Sequence, residues 1–421
     1  MGQLTTLTSF NPGTGFPAAG LLAGSNDVFY GTTAYSGTSG NAAVFEVSSS
    51  GALPALLPFN SPNDANPDGI LLATNGNLYG TAFGGGVSNN GTVFEVTLNG
   101  ITTNIVVFSG ANGSHPQGGL MLGGDGNLYG TTSQGGPDDN GTIFRINFFG
   151  PTNIFTTLAT FNYGFNNSCA FPEGPLVQGG SSNFYGTAAA GGANDDGAIF
   201  MVTTGGVLTT VASFAYTNGS EPETGLIVGS DGNFYGTTSS GGAYGDGTFF
   251  ELTTNLVLTN IISFNGTNGD TPQGPLVEMS GTFYGTAEFG GMYGDGTVFS
   301  VTLPDTLATA ATFNGTNGAY PNAGLAVGSD GNLYGTTTDG GSGGAGTVFQ
   351  LTPTLSCSLI AGECVVYWPT NAGGFNLQST TNLSVAHWVD AGNPSIVGHY
   401  YVVTNNIYSG NKFYRLINPN P

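Results

Sequence analysis

Asp330-Gly331-Asn332-Leu333-Tyr334-Gly335-Thr336, followed ten residues later by Gly346-Thr347-Val348-Phe349, is the stretch from which the rest of the chain can be read. Its Tyr-Gly-Thr core stands at Tyr30, Tyr79, Tyr129, Tyr185, Tyr235, Tyr284 and Tyr334, at spacings of 49, 50, 56, 50, 49 and 50 residues. Fifteen residues after each Tyr comes a Phe: Phe45, Phe94, Phe144, Phe200, Phe250, Phe299 and Phe349. A fixed interval inside a repeated period means one structural unit used seven times.

Each unit reads as four short strands. In the copy that follows Pro272 they are Gly274 to Glu278, Thr282 to Thr286, Thr297 to Val301 and Leu307 to Phe313. Between the first and second strands stand Asn75-Gly76, Asp125-Gly126, Asp231-Gly232 and Asp330-Gly331, pairs that suit a type I′ hairpin turn. Four antiparallel strands at a period near fifty predict a propeller blade, because such a unit buries its two faces only against its neighbours.

A fourth-type strand, Leu4 to Phe10, precedes every first-type strand, while the last unit ends its third strand at Leu351 with no fourth strand behind it. The N-terminal strand is therefore expected to complete the last blade, which removes two free sheet edges. The alternative is an open solenoid, incomplete at both ends. The fold expected is all-β: a seven-bladed β-propeller over 1–353 closed by an N-terminal outer strand, then a small C-terminal β-sandwich-like module over 354–421. The Tyr and Phe rings are read as packing residues, and the Gly after each Tyr as space for an aromatic of the neighbouring blade.

Composition agrees with many strands and tight turns: 39% hydrophobic residues, 7% charged, and 74 Gly among 421 residues. The formal charge is −22 and the basic residues are Arg145, Lys412 and Arg415. Glu363 and Asp390 balance the last two, so the repeats carry the whole excess. Such a surface repels phosphate backbones and anionic lipid heads, which argues against nucleic-acid and membrane-surface partners. No apolar run approaches the roughly 20 residues that span a bilayer. Scarce Lys with abundant Thr, Asn, Ser and Gly predicts a secreted or cell-surface protein. Met1-Gly2-Gln3-Leu4 has no leader character, so an export signal would already have been removed.

The run Gly-Asn-Leu-Tyr-Gly-Thr-Thr, then Gly-Gly, then Gly-Thr-Val-Phe, resembles the GloVer-type tandem repeat of exported bacterial surface proteins, over about residues 3–353. The resemblance implies export and implies no defined activity. After Thr354 the text changes. Gly374-Phe375-Asn376-Leu377-Gln378-Ser379, Asn382-Leu383, Trp388 and Phe413-Tyr414-Arg415-Leu416 resemble a C-terminal module appended to other exported proteins of related bacteria, which implies display or attachment. Trp368 and Trp388 are expected in its core. Cys357 and Cys364 flank Ala361-Gly362, so a hairpin there would bring them to adjacent strands, within reach of a disulfide.

Enzyme motifs are scarce. Gly340-Gly341-Ser342-Gly343-Gly344 matches a nucleophile elbow in letters, yet it lies in a glycine-rich loop with no helix after it. His115 is the one histidine of the repeats, too few for a histidine metal site. Asp138, Asp139, Asp195, Asp196, Asp246 and Asp295 precede the Gly-Thr of the third strand; they are candidate calcium ligands or ordinary turn residues. No other cofactor is expected.

Comparison among the copies says more. Every unit has a Pro after its fourth-type strand, and the residue before it changes: Phe16, Asn66, His115, Phe171, Glu221, Thr271, Tyr320. Loops from fourth to first strand and from second to third strand are long and emerge on one face. These residues, with Tyr244 and Tyr293, are the candidate ligand-binding set. The function expected is an extracellular binding, adhesion or display module recognising a glycan or protein through that face. The alternatives are a self-assembling surface-layer or filament protein, with self-association through the C-terminal module, and a carbohydrate-active enzyme using Glu221 and Asp246.

Overall fold

The computed structural model describes all residues except 1, 37–40, 54, 60–63, 98, 148–153, 165–167, 181–182, 280, 353–355, 361–362, 370–375, 382–388, 398–399, 407–411 and 418–421. The chain is all-β; a 3-10 turn at Tyr216–Asn218 is the one helical element among the described residues. Each repeat forms one antiparallel sheet with strands in sequence order, such as Ile227–Val228, Phe234–Thr238, Thr248–Leu252 and Leu258–Ser263. Gln3–Ser9 does not join the first repeat. It pairs antiparallel with Thr347–Thr352 of the last, with Leu4 opposite Leu351.

Alternation along the second and third strands turns apolar side chains to both sheet faces, so each sheet must be covered twice. Tyr129, Tyr235 and Tyr334 are fully buried, as are the seven Phe residues that stand fifteen positions after each Tyr. Each repeat rests on the next: the ring of Tyr129 lies 4.3 Å from Phe184, Tyr185 4.5 Å from Phe234, and Tyr235 4.4 Å from Phe283. Tyr334 of the last repeat lies 4.2 Å from Phe29 of the first.

The Thr of Tyr-Gly-Thr has a role the sequence reading did not assign. Its hydroxyl donates to a backbone carbonyl of the following repeat: Thr131 to Gly174 at 3.2 Å, Thr187 to Thr224 at 2.6 Å, Thr286 to Ala323 at 2.9 Å. Thr336 donates in the same way to the Ala19 carbonyl, 3.2 Å away at the start of the chain. These bonds satisfy carbonyls buried between sheets, where an unpaired acceptor is costly.

Two local expectations are corrected. The Gly after each Tyr makes room for the Phe of its own repeat: a β-carbon on Gly130 would lie 2.5 Å from Cζ of Phe144, and one on Gly236 2.6 Å from Cζ of Phe250. In the Asn-Gly and Asp-Gly copies the turn between first and second strands is not type I′, whereas in the first repeat Asn26 and Asp27 both have positive φ, as type I′ requires. Gly76, Gly126, Gly232 and Gly331 have positive φ and the residues before them do not, while Gly126 N donates to the Gly123 carbonyl. This is a type I turn closed by a left-handed glycine, a bulged hairpin.

Beyond the repeats, Ser356–Ile360, Glu363–Pro369, Tyr400–Asn406 and Ser395–Val397 form one sheet, and Asn376–Thr380, Val389–Asp390 and Phe413–Ile417 another. Val366 and Val403 of the first pack with Leu377 of the second. Cys357 stands opposite Val366 and Cys364 opposite Leu359, which puts the cysteines diagonal to each other on adjacent strands. Their side chains and those of Trp368 and Trp388 lie outside the described residues.

Candidate functional site

Where the first strands begin, the repeats approach closely enough to require glycine. A β-carbon on Gly118 would lie 2.6 Å from the Gly174 carbonyl oxygen, one on Gly225 2.7 Å from Pro175 Cγ, and one on Gly20 2.9 Å from the Gly324 oxygen. At the mouth of this constriction lies an open cavity of about 320 Å³. One residue from each repeat lines it: Ala18, Asp68, Gln117, Glu173, Glu223, Gln273 and Asn322. Each directly follows the repeat's proline, and six of the seven are acids or amides.

The carboxylates there are under-supplied with donors. Oδ2 of Asp68 is buried with no hydrogen-bond partner, and burial holds this carboxyl well above the usual range. Glu173 is pushed up to about 7, first by burial and then by the charges of Glu223 and Glu221. Glu223 is raised by burial although Gln273 Nε2 donates to it at 3.1 Å. Burial also raises Glu288, with Glu223 repelling it. Desolvation, which disfavours the ionised form, is common to all four, and like charge adds to it at Glu173, Glu223 and Glu288.

Two positions along the chain before each residue that lines the cavity stands the variable residue before proline. Six of them have positive φ: Asn66 51°, His115 55°, Phe171 58°, Glu221 57°, Thr271 55° and Tyr320 57°. For a bulky or β-branched side chain this is an outlier conformation. The scaffold imposes it from both sides of the residue. The His115 N–H donates to the Asn90 carbonyl of the preceding repeat at 2.8 Å, and its carbonyl accepts from Ser133 N at 3.0 Å. Tyr320 is held alike, N–H to the Asp295 carbonyl at 2.9 Å and carbonyl to Thr338 N at 3.3 Å. Phe16 is the exception; it packs against the core around Phe10 and Phe45.

Their side chains have mixed partners. His115 lies 4.5 Å from Phe83 with the rings tilted and shares a 2.8 Å bond with Ser114; Tyr320 meets Phe289 edge-on; Phe171 lies 6.3 Å from Tyr163. Thr271 Oγ1 donates to Asp270, and Glu221 accepts from Ser240 at 2.9 Å. Tyr244 and Tyr293, in the loops between second and third strands, are 66% and 57% exposed.

The candidate calcium residues are dispersed over separate loops. Asp139 and Asp195 accept from Gly135 N and Gly191 N in local turns, and Asp196 accepts from Tyr216 N and Ser220. Asp138 is exposed, Asp246 has Asp270 as its charged neighbour, and the Asp295 carbonyl is taken by Tyr320. Among the described residues no three His, Cys, Asp or Glu side chains converge as a metal site would require. Glu221 acts electrostatically on Glu173 and Glu223.

Sequence reasoning chose the residue before proline and passed over the one after it. The signal was present: an acid or amide recurs there at the start of an otherwise apolar strand.

The architecture defines an all-β tandem-repeat protein with a polar cavity at the convergence of its repeats. The chain matches the Gloeobacter/Verrucomicrobia repeat over residues 1–181, 96–277 and 171–363, and it belongs to that family. No curated protein matches it. Similar solved structures include a putative oxidoreductase (glucose dehydrogenase) from Thermus thermophilus, 14% identical with TM-score 0.42, covering 67% of this chain and 95% of that one. A putative gluconolactonase is 13% identical with TM-score 0.42, covering 83% of this chain and 92% of its own. Among the described residues no helix is long and apolar enough to cross a membrane.

Proposed function

We propose that the chain is an exported binding module: a closed seven-bladed propeller over 1–353 with a C-terminal β module over 354–421, recognising a glycan or protein through its long-loop face. The observation that carries this reading is the outlier backbone at His115, Phe171, Glu221, Thr271 and Tyr320, held by hydrogen bonds from neighbouring backbone. A fold that needed only to close would place glycine there. Maintaining strain under side chains that differ from copy to copy is the behaviour of a recognition surface. The polar cavity beside them and the exposed rings of Tyr163, Tyr244, Phe289 and Tyr293 supply the two halves of a sugar or peptide contact: polar anchors and flat apolar faces. Closure is supported by the pairing of Gln3–Ser9 with Thr347–Thr352 and by the bond from Thr336 to Ala19.

The test is binding of the whole chain to a glycan array and to extracellular proteins of the producing cells, repeated with a Tyr244→Ala, Phe289→Ala, Tyr293→Ala triple variant. Retained fold with lost binding supports the reading. Binding that survives the triple variant, or no binding to either panel, overturns it.

A further inference from the structure

We propose that a second cavity, between the first and second repeats, binds a small neutral molecule with an apolar body and one hydroxyl, a phenol or a short alcohol, whose hydroxyl meets Tyr30 and Glu46. The site lies apart from the long-loop face and does not depend on the reading of that face.

This cavity has a volume of about 250 Å³ and lies beside the turns between first and second strands. Val44 and Leu57 of the first repeat and Leu78 and Val96 of the second give it apolar walls, and Tyr30 and Glu46 line it as well. Packing explains why the space exists. At other interfaces a Phe of the following repeat covers the Tyr ring, as Phe184 covers Tyr129 and Phe29 covers Tyr334. Leu78 stands at that place opposite Tyr30. Leu128 and Leu333 stand there too, but Phe155 packs into the core around Leu128, and Met279 into that around Leu333. Between the first and second repeats both supplements are missing. Thr102, paired with Val96, holds the place of Phe155, which is paired with Ile146; Gly24 holds the place of Met279. Interiors are otherwise filled, so a gap at one interface of a repeated scaffold is a property of this pair of repeats.

The polar groups in the wall lack the bonds that their counterparts make. Tyr30 and Glu46 stand opposite each other on neighbouring strands, as Tyr79 and Glu95 do in the second repeat. Tyr79 donates to Glu95 at 2.6 Å, and Tyr129, Tyr235 and Tyr334 donate to the Asp four residues before them. Four residues before Tyr30 stands Asn26, which the type I′ turn holds at φ 58°. Among the described residues neither the Tyr30 hydroxyl nor the Glu46 carboxylate has a hydrogen-bond partner, although Glu46 acts on Tyr30 electrostatically. Both residues are partly exposed, and neither group is sealed from solvent. A ligand hydroxyl can accept from Tyr30 and donate to Glu46 at once; a hydrocarbon can do neither, and a carboxylate ligand would meet Glu46 as a like charge.

Size sets the body of the ligand. A cavity of about 150 Å³ lined by apolar side chains takes benzene, so about 250 Å³ takes a ring with a short substituent or a chain of similar bulk.

The whole chain is titrated calorimetrically with 4-methylphenol, with 1-hexanol, and with toluene, which has the ring and lacks the hydroxyl. We expect saturable binding of a hydroxylated ligand with unit stoichiometry, the tighter of the two assigning a ring or a chain. Toluene should bind at least about tenfold more weakly, and Tyr30→Phe should weaken the hydroxylated ligand by a similar factor. Leu78→Phe installs the ring that Phe29, Phe184, Phe234 and Phe283 supply at this place in other repeats, and it should abolish binding. Thermal melting shows whether that variant is folded. Nuclear Overhauser contacts from the bound ligand to the methyl groups of Leu57, Leu78 and Val96 locate the site in the parent protein, independently of any variant.

Absence of saturable binding overturns the inference. So does equal affinity for toluene, which would mean a void that admits any apolar guest, or binding untouched in a folded Leu78→Phe, or ligand contacts to methyl groups elsewhere in the chain. Glycan or protein capture through the long-loop face is unaffected by any of these results.

Discussion

Pro17 occupies the space that a side chain on Gly346 would need: a β-carbon built there meets Cδ of Pro17 at 2.9 Å. The same relation holds between consecutive repeats, with Gly141 against Pro172 at 2.7 Å and Gly247 against Pro272 at 2.8 Å. Residues from the two ends of the repeat region thus meet as neighbouring repeats do in its interior. Gly346 also has φ +95°, outside the range of an L side chain. Gly346→Ala is expected to cost about 2–4 kcal/mol, from the strained backbone, the clash with the Thr337 carbonyl of its own repeat and the displaced proline together. Urea denaturation measures it, and a cost below that of Gly247→Ala would mean that the ends are held less firmly than the interior repeats.

Thr336 and Thr131 make equivalent bonds, one to the first repeat and one to the next in line. Thr→Val keeps the shape and strands the carbonyl, so each substitution should cost about 1–3 kcal/mol. Equal costs in chemical denaturation are expected of a closed ring. A negligible cost at Thr336 beside a full one at Thr131 would count against closure.

Thr271 is β-branched and has φ 55°. Replacing it with glycine relieves the left-handed conformation at some loss of chain entropy, a net gain of about 0.5–1 kcal/mol. The melting temperature of Thr271→Gly should therefore rise. The binding-face reading adds that ligand affinity falls in the same variant; a rise in both would remove Thr271 from the site.

Glu173 is displaced upward to about 7 from the 4.5 of an unperturbed Glu, so the folded protein holds a proton there that the unfolded chain releases. The sign follows: the charged form burdens the fold fully above about pH 7, and the burden is relieved as pH falls from there toward 4.5. Asp68, Glu223 and Glu288, also raised, act in the same direction. Stability by denaturant titration should increase from about pH 8 to about pH 5, by up to about 3 kcal/mol for Glu173 alone. Glu173→Gln should flatten that slope; an unchanged slope would show that Glu173 is not its source.

Asp68→Asn tests whether the unpaired carboxylate is retained at a cost to stability. Without ligand, at a pH where this carboxyl is ionised, the variant should be more stable than the parent by about 1–3 kcal/mol. A loss of stability would show that the carboxylate makes a bond essential to the fold.

The period of Tyr-Gly-Thr and the fifteen-residue step to Phe were enough to derive an all-β chain, four strands per unit and the burial of those rings, because strand alternation and turn chemistry act within a few residues. The displaced N-terminal strand, Leu4 to Phe10, was legible for the same reason: it is a fourth strand with no first strand before it. Tertiary structure decided what depends on contact between units. It set the Thr336 hydroxyl against Ala19, gave six residues before proline their left-handed backbone, and gathered Asp68, Glu173 and Glu223 around one cavity. A residue's direction at a strand entrance follows from the carbonyls that the neighbouring repeat offers, and those lie far away along the chain; no local pattern of residues encodes them.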